Sequence, residues 1–228
     1  CARAFQADME RGLRGEPGAW MLMLPTYLSQ EGELPEDEPI IVIDAGGTNF
    51  RVGLVTIRSS GVEIEDLKVS PMPGSQAPIS WEEFVDQVAE AVLPLTGRSR
   101  KVGLCFSYAA EILPNRDGRV DRFTKQVQVS GSEGKELGRD ISAALAAKGA
   151  PGTSFVVLND TVAALLGGVA SLRDERFDSY IGLIYGTGVN TCYAERRKAL
   201  EQVTTPWAAE NMLVNMESGR FDGAPMSE

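Results

Sequence analysis

The sequence contains no histidine. Every site that depends on an imidazole is therefore excluded, including Ser-His-Asp triads, histidine metal sites and histidine general bases. A general base in this chain has to be a carboxylate or, less often, a lysine, tyrosine or cysteine.

Cysteine is scarce and widely spaced, with residues only at positions 1, 105 and 192. No Cys-x-x-Cys pair is present, so neither a zinc site nor a disulfide framework is indicated. A reducing, cytoplasmic environment is the expectation for such a chain.

Positive charge and long apolar runs are lacking as well. The 228 residues carry a net charge of −10 and have a pI of about 4.7, and such a surface repels the phosphates of nucleic acids. No apolar run approaches the roughly 20 residues of a membrane span, and no cationic, apolar signal sequence opens the chain. We therefore expect no nucleic-acid partner and no membrane association. A nucleotide is not excluded, because backbone N–H groups and a metal ion neutralise phosphate locally.

What the sequence does contain is an alternation of short apolar strands and amphipathic helices, which predicts an α/β protein. Apolar residues at helical spacing predict that residues 2–30 are helical, and the second patch of apolar residues ends near Pro25. Residues 30–39 are acidic and contain prolines, which indicates a linker and a domain boundary. The other predicted elements are strands at 40–43, 50–57, 62–69, 102–106, 155–158, 180–185 and 191–195, and helices at 80–92, 135–148 and 161–170. The first three strands follow one another closely, which predicts a β-meander. Ser80 and Glu83 predict a capping box at the start of the helix at 80–92, and Leu137, Ile141 and Leu145 predict the buried face of the helix at 135–148.

One pattern occurs twice in the chain. Residues 40–55 and residues 181–195 both consist of a strand, a glycine-containing turn and a second strand. Two similar hairpins far apart in the sequence suggest a duplicated domain core, with both turns facing one cleft.

The first of these turns, Asp44-Ala45-Gly46-Gly47-Thr48-Asn49, has the residue types of a phosphate site. Glycines allow positive φ angles and close approach of a ligand, and consecutive N–H groups converge on an anion. Asp44 can hold Mg²⁺ directly or through water, and Arg51 can offset phosphate charge. The same residues also fit an ordinary Gly-Gly hairpin turn, and spacing alone does not separate the two interpretations.

Two familiar nucleotide-binding motifs are excluded. No Gly-Lys-Ser/Thr follows the first turn, so it is not a Walker loop. The second turn, Gly186–Asn190, begins like a dinucleotide-binding fingerprint, but it lacks the third glycine and no clear helix follows it.

The segment from Asp44 to Arg51 resembles the first phosphate motif of hexokinases and glucokinases. Further segments resemble other motifs of that family in the family's order, and together they cover almost the whole chain. These segments are Met23-Leu24-Pro25-Thr26-Tyr27, Phe106-Ser107-Tyr108, Phe123-Thr124-Lys125, Leu158-Asn159-Asp160-Thr161-Val162 and Ile181–Tyr193.

The resemblance implies a two-lobed actin-like ATPase fold, related to ribonuclease H, with mixed sheets and a central cleft. Residues 40–157 would form the small lobe, and residues 1–39 with residues 158–228 would form part of the large lobe. Mg-ATP would be the phosphoryl donor, and a hexose, glucose above all, the acceptor. The family's chains continue well beyond Phe221, so the resemblance also implies that a C-terminal part carrying the adenosine-binding motif is missing. No oligomeric state is indicated.

The resemblance further implies a role for each matching residue. Asp160 would be the general base for the 6-hydroxyl of the sugar, with Lys125 and Arg51 as the other catalytic residues, and Asp44 would hold Mg²⁺ through water. An Asp in this position is also an ordinary helix N-cap, and one residue can do both. Hexose hydroxyls would be held by Ser107, Thr124, Lys125, Asn159, Asp160, Asn190 and Glu217, and the phosphates of ATP by Asp44, Gly46, Gly47, Thr48, Asn49, Arg51, Thr187 and Gly188.

The sequence departs from the family pattern at several positions that line the implied sugar site. None of these changes removes a hydrogen-bonding or catalytic group, but they leave the preference for glucose open. Ala45, Ala109, Phe123 and Gln126 stand where the family has Leu, Pro, Trp and Gly, and Ser218 and Arg220 alter the segment around Glu217.

The sequence is compatible with three functions. The first is an ATP-dependent hexose kinase acting at the first step of glycolysis. The second is a non-enzymatic hexose-binding regulator on the same fold, against which the retained Asp160 and phosphate turn argue. The third is an actin- or chaperone-like ATPase with a protein partner, which would not need Ser107, Thr124 and Asn159.

Overall fold

The structure is a computed structural model that describes residues 1–31, 35–124, 126–172, 177–186 and 188–223. Contacts between Cα atoms divide the chain into two compact units, the central unit (residues 33–159) and the terminal unit (residues 1–32 with 160–228). The lobe boundaries expected from the sequence lie a few residues away from these divisions. Among the described residues, no helix has both the length and the apolar character needed to cross a membrane.

Strands and helices alternate along the chain, so the class is α/β, as the sequence predicts. Short 3₁₀ turns lie at Leu93–Leu95, Arg197–Ala199 and Ser218–Arg220. In chain order the strands are β1 (Leu24–Pro25), β2 (Pro39–Ala45), β3 (Asn49–Arg58), β4 (Gly61–Pro71), β5 (Ile79–Ser80), β6 (Lys101–Phe106), β7 (Ala109–Ile112), β8 (Gly118–Arg122), β9 (Val129–Ser130), β10 (Ser154–Leu158), β11 (Ile181–Tyr185), β12 (Val189–Arg196) and β13 (Asn211–Asn215), and the helices are α1 (Ala2–Leu13), α2 (Trp81–Val92), α3 (Leu137–Ala147) and α4 (Asp160–Ser171).

The central unit is built on a five-stranded mixed sheet in the order β10-β6-β2-β3-β4. Strands β2, β3 and β4 form an antiparallel meander, which confirms the meander predicted from the sequence. Strand β6 runs parallel to β2, and β10 runs parallel to β6. The carboxyl ends of β2, β6 and β10 therefore lie at the same edge of the sheet, with Ala45 beside Phe106 and Cys105 beside Leu158.

One face of this sheet packs against α2 and α3. Alternate residues of β2 point to this core, and Ile41 and Ile43 are fully buried together with Ile141 of α3. Burying an aliphatic side chain of this size contributes roughly 1.5–3 kcal/mol. Helix α2 begins with the predicted capping box, because Ser80 Oγ accepts from Glu83 N at 3.2 Å and Glu83 Oε2 accepts from Ser80 N at 2.7 Å.

The terminal unit contains a four-stranded antiparallel sheet in the order β1-β13-β12-β11. Strand β13 is its most deeply buried strand, with Met212, Leu213 and Val214 at 0% exposure. Helix α4 packs against β11, and this contact fixes the first turn of the helix relative to the sheet.

The prediction that residues 2–30 are helical is wrong beyond residue 13. Helix α1 ends at Leu13, and Gly15 and Gly18 then adopt positive φ angles of 68° and 79° that a right-handed helix does not allow. The buried carboxylate of Asp8 accepts from Trp20 N at 3.2 Å and from Met21 N at 2.8 Å. These N–H groups therefore bond a side chain instead of a helical carbonyl.

The predicted linker at residues 30–39 is partly ordered into the central unit. Pro39 is the first residue of β2, and Glu36 forms an isolated bridge with Ile57. Residues 32–34 lie outside the described residues.

Candidate active site

Three of the predicted site segments lie at the edge of the central sheet where its parallel strands end. The Gly46-Gly47-Thr48 turn follows β2, Ser107 follows β6 and Asn159 follows β10. Because these strands are parallel neighbours, the residues that follow them leave the sheet side by side. The backbone confirms this proximity for two of them, since Ser107 N donates to Ala45 O at 3.2 Å.

The turn between β2 and β3 is held from three sides. Gly46 N donates to Asn49 O at 3.1 Å, and Met72 N donates to Thr48 O at 3.0 Å. Tyr108 Oη donates to Gly46 O at 2.7 Å. The side chains of Thr48 and Asn49 lie on the exposed side of this framework. The turn thus has a fixed backbone and two exposed polar side chains.

Gly46 serves the turn through close approach. Its φ angle is outside the left-handed region, so this residue does not use the positive φ that glycine allows. A Cβ atom at position 46 would lie 3.3 Å from Asn49 O, the oxygen that accepts the hydrogen bond from Gly46 N and closes the turn. A larger residue here would have to move the backbone.

Asp44 and Arg51 form an ion pair across β2 and β3. Arg51 Nη1 lies 2.6 Å from Asp44 Oδ2, and the side chains of Arg51 and Asp44 are 44% and 38% exposed. An exposed pair of this kind contributes between about 0 and 1 kcal/mol to stability. Breaking this ion pair therefore costs little, and Asp44 and Arg51 can each bind a charged ligand in its place.

The donor set around Asp44 fits Mg²⁺ of the kind that nucleotides carry. Among the residues that the structure describes, no group of three or more acidic or cysteine side chains converges on a common point. Mg²⁺ bound with nucleotides usually takes one or two protein carboxylates and completes its shell with water and phosphate oxygens. One partly exposed carboxylate beside the glycine turn meets the protein's share of that requirement.

Tyr108 has a structural role that the sequence did not reveal. Its ring packs against Phe106 and Phe123, with centroid distances of 5.1 Å and 5.0 Å. Burial raises the pKa of Tyr108 to about 12, so its hydroxyl stays protonated and donates to Gly46 O across the physiological pH range. No local pattern could predict a bond between residues 62 positions apart.

The same aromatic cluster anchors the segment that contains Thr124. Phe123 packs edge-on against Phe84 and Phe106, with centroid distances of 5.2 Å and 5.5 Å. Thr124 follows it and is partly buried. Lys125, predicted as both a hexose contact and a catalytic residue, lies outside the described residues.

Asp160 is the first residue of α4 and follows Asn159 directly. Thr161 Oγ1 donates to Asp160 Oδ1 at 3.3 Å. The first turn of α4 is pressed against β11, because a Cβ atom on Gly182 would lie 2.6 Å from Thr161 O. The position of Asp160 is therefore fixed by helix packing. The helix starts one residue earlier than the sequence indicated.

The second glycine turn joins β11 to β12. Gly186 N donates to Gly188 O at 2.9 Å, and Thr187 between them lies outside the described residues. At the start of β12, Asn190 Nδ2 donates to Glu217 Oε1 at 3.1 Å. The structure thus brings together two predicted hexose contacts that are 27 positions apart. Glu217 has a left-handed backbone, with φ 58° and ψ 42°.

Asn215 joins these two residues and was not identified from the sequence. It accepts from Asn190 Nδ2 at 2.7 Å and donates to Glu217 Oε1 at 2.9 Å. An isolated Asn at the end of a strand gives no sequence signal of such a role.

A cavity of about 560 Å³ lies elsewhere in the central unit. None of the predicted site residues that the structure describes lines it, so we do not assign it to the candidate site. Its lining consists of Pro78, Asp121, Arg122, Phe123 and residues 127–133.

Comparison with known proteins identifies one family. Two family models, both described as hexokinase, match residues 1–169 and residues 180–228. Hexokinase-3 of Mus musculus is 32% identical over 220 residues, which cover 93% of this chain and 23% of that protein. Hexokinase-2 of Solanum tuberosum is 29% identical over 243 residues, which cover 100% of this chain and 48% of that protein. The chain thus spans between about a quarter and a half of these relatives' lengths.

Solved structures show the same fold. The hexokinase from Schistosoma mansoni complexed with glucose superposes with a TM-score of 0.76 at 24% identity, over 94% of this chain and 49% of that one. A second hexokinase crystal structure gives a TM-score of 0.74 at 22% identity, over 99% of this chain and 52% of that one. These likenesses concern the fold.

Proposed function

The chain belongs to the hexokinase family, and from that premise we propose that it supplies the phosphate turns and the general base of an ATP-dependent hexose kinase. The observation that carries the proposal is the shared edge of β2, β6 and β10. The glycine turn after β2 lies beside Ser107, which follows β6, and Asn159 follows the next strand, β10. Asp160 comes directly after Asn159, at the N-terminus of a tightly packed helix. Phosphoryl transfer needs this kind of positioning more than it needs covalent chemistry.

In the proposed reaction, Asp160 accepts the proton of the hexose 6-hydroxyl as the oxygen bonds to the γ-phosphorus of ATP. The bond from phosphorus to the β,γ-bridging oxygen breaks, and ADP leaves with that electron pair. Ser107, Thr124 and Asn159, with Lys125, would bind sugar hydroxyls and orient the 6-hydroxyl.

In the central unit, phosphate groups would lie against the Gly46–Asn49 turn. In the terminal unit, the Gly186–Gly188 turn is proposed as a phosphate contact in its own right. Thr48 and Asn49 supply exposed donors, and Arg51 would turn from Asp44 toward phosphate charge. Asp44, released from this ion pair, would hold Mg²⁺ through water. The metal ion, when bound, neutralises charge on the phosphate oxygens.

Glucose is the acceptor that we propose first. The related Schistosoma mansoni hexokinase was solved in complex with glucose. The side chains around Phe123 and Ser218 differ from the family pattern, so other hexoses belong in the test. With glucose as substrate, the reaction would be the first step of glycolysis, in the cytoplasm.

The test is a coupled ADP-release assay on the full-length protein with Mg-ATP and a panel of glucose, mannose, fructose and galactose. We expect ADP release only when a hexose is present, with one ADP per hexose phosphate formed. Calorimetric binding of a hexose without any turnover would point instead to a hexose-binding regulator. ADP release at the same rate with and without sugar would point to an ATPase that acts on another partner.

A further inference from the structure

The side chains of Asn190, Asn215 and Glu217 form a closed hydrogen-bonded group, which we call the amide–carboxylate ring. Asn190 Nδ2 donates to Asn215 Oδ1 at 2.7 Å and to Glu217 Oε1 at 3.1 Å. Asn215 Nδ2 donates to the same Glu217 oxygen at 2.9 Å. Because an ionised carboxylate only accepts hydrogen bonds, both amides must turn their nitrogen atoms toward Glu217. The orientation of each amide is therefore determined.

The ring fixes which atoms remain for a ligand. Both ring amides donate to Oε1 of Glu217, so neither of them occupies Oε2. The amide nitrogen of Asn190 has both of its hydrogens directed at the ring, and its Oδ1 accepts one bond, from Thr191 N at 2.8 Å. The ring thus offers hydrogen-bond acceptors, which suit the hydroxyl donors of a sugar.

Asn215 occupies the inner position of the ring. Asn215 is 6% exposed. It is the last residue of β13 and pairs with Cys192 of β12. The backbone next to it is held by the bond from Met216 N to Thr191 O at 2.9 Å. Such a residue is too deeply placed to be the main ligand contact, yet it touches both outer members.

The outer side of the ring is braced as well. Thr191 Oγ1 and Ser218 Oγ are 2.8 Å apart, which ties the residue after Glu217 to the residue after Asn190. Glu217 itself keeps a left-handed backbone that a non-glycine residue adopts at some cost. This strained position is maintained by the bonds around it.

We propose that Asn215 is a positioning residue for hexose recognition: its amide holds Glu217 and Asn190 so that their remaining acceptor oxygens meet adjacent sugar hydroxyls. The proposal rests on the proposed function, since it concerns how the same site selects a polyhydroxyl substrate. It assigns Asn215 no contact with the reacting atoms.

The test compares Asn215→Ala and Asn215→Asp with the wild type in the full-length protein. Asn211→Ala is the matched control, because Asn211 lies on the same strand and bonds Ser29 and Glu31 outside the ring. We expect Asn215→Ala to weaken hexose binding about tenfold, the loss of roughly one hydrogen bond to a charged group. The KM for ATP should stay within about twofold of wild type, and Asn211→Ala should bind hexose like wild type.

Asn215→Asp separates positioning from simple packing. It keeps the acceptor for Asn190 but replaces the donor to Glu217 by a second carboxylate, and like charges at this distance repel. Lowering the pH from about 8 to about 5.5 should restore part of its hexose affinity, because a proton held between the two carboxyls again provides a donor. Asn215→Ala should show no such recovery.

The outcomes distinguish the two claims. If the wild type binds no hexose, the proposed function fails and the positioning role fails with it. If the wild type binds and phosphorylates hexose but Asn215→Ala and Asn211→Ala behave alike, the proposed function stands and the positioning role is wrong. The role is also wrong if both Asn215 variants lose affinity equally at every pH, since that result indicates packing alone.

Discussion

The two units contain the same kind of hairpin in different surroundings. In the central unit, β2 pairs with β3 on one side and with β6 on the other. In the terminal unit, β11 pairs with β12, and no other strand of the described residues lies along its second edge. Ile41 and Ile43 of β2 are 0% exposed, whereas Leu183 and Tyr185 of β11 are 59% and 84% exposed.

This difference shows which property of a hairpin depends on its own sequence and which depends on the elements packed around it. Both hairpins close a glycine turn with an amide of the first glycine, Gly46 N to Asn49 O in one and Gly186 N to Gly188 O in the other. Local sequence is enough for that. The burial of the apolar side chains depends on flanking strands and helices, which are supplied from distant parts of the chain.

The comparison is tested most strongly by the same substitution in both units. Leu54→Ala, on β3 of the first hairpin, removes a side chain that is 0% exposed, and we expect it to lower the free energy of unfolding by about 2–5 kcal/mol. Leu183→Ala, on β11, removes an exposed side chain and should change it by less than about 0.5 kcal/mol. Urea denaturation followed by circular dichroism measures both values. Equal losses of unfolding free energy would mean that Leu183 of β11 is as buried as Leu54 of β3, which would contradict the comparison.

A smaller effect is expected where α4 packs on β11. In Gly182→Ala the new Cβ would lie 2.6 Å from Thr161 O and 2.9 Å from Leu165 Cβ, and such overpacking costs about 1–3 kcal/mol. Gly168→Ala is the control on α4, since nothing lies within 4 Å of its Cβ position, and Ala there should stabilise the helix by up to about 1 kcal/mol. Thermal unfolding of the two variants gives the comparison. A stable Gly182→Ala would show that α4 does not rest on β11 and that Asp160 is less firmly placed.

Much of the central unit could be predicted from the sequence, because its signals are local. The capping box at Ser80 and Glu83 predicted the start of α2, and the spacing of Leu137, Ile141 and Leu145 predicted the buried face of α3. All three α3 residues are 0% exposed. The meander of β2, β3 and β4 followed from short apolar runs separated by turns.

The sequence was less informative where long-range bonds decide the structure. Trp20 and Met21 lie in a helix-like apolar pattern, but their amides bond the buried Asp8 carboxylate. Strand β13 was not predicted, because Asn211–Asn215 has neither alternation nor a flanking turn signal. Its burial depends on β1 and β12 at its two sides.

In the candidate site, too, the sequence predicted the residues but not the long-range contacts between them. Residue types and order predicted Asp44, Arg51, Ser107, Asn159 and Asp160 as members. The sequence could not show that Asp44 and Arg51 would pair with each other, that Tyr108 would hold the turn, or that Asn215 would join Asn190 to Glu217. Each of these contacts depends on strand register, which is fixed only once the sheets have formed.

The central claim is that Asp160 is the base of a hexose kinase, and the most direct measurement is the kcat of Asp160→Asn in the full-length protein. The control is Asp178→Asn, an exposed carboxylate of the same unit. We expect Asp160→Asn to lower kcat for hexose phosphorylation by about 10²–10⁴-fold with hexose affinity changed by less than about tenfold, and Asp178→Asn to match wild type. A kcat for Asp160→Asn within about twofold of wild type would contradict the claim.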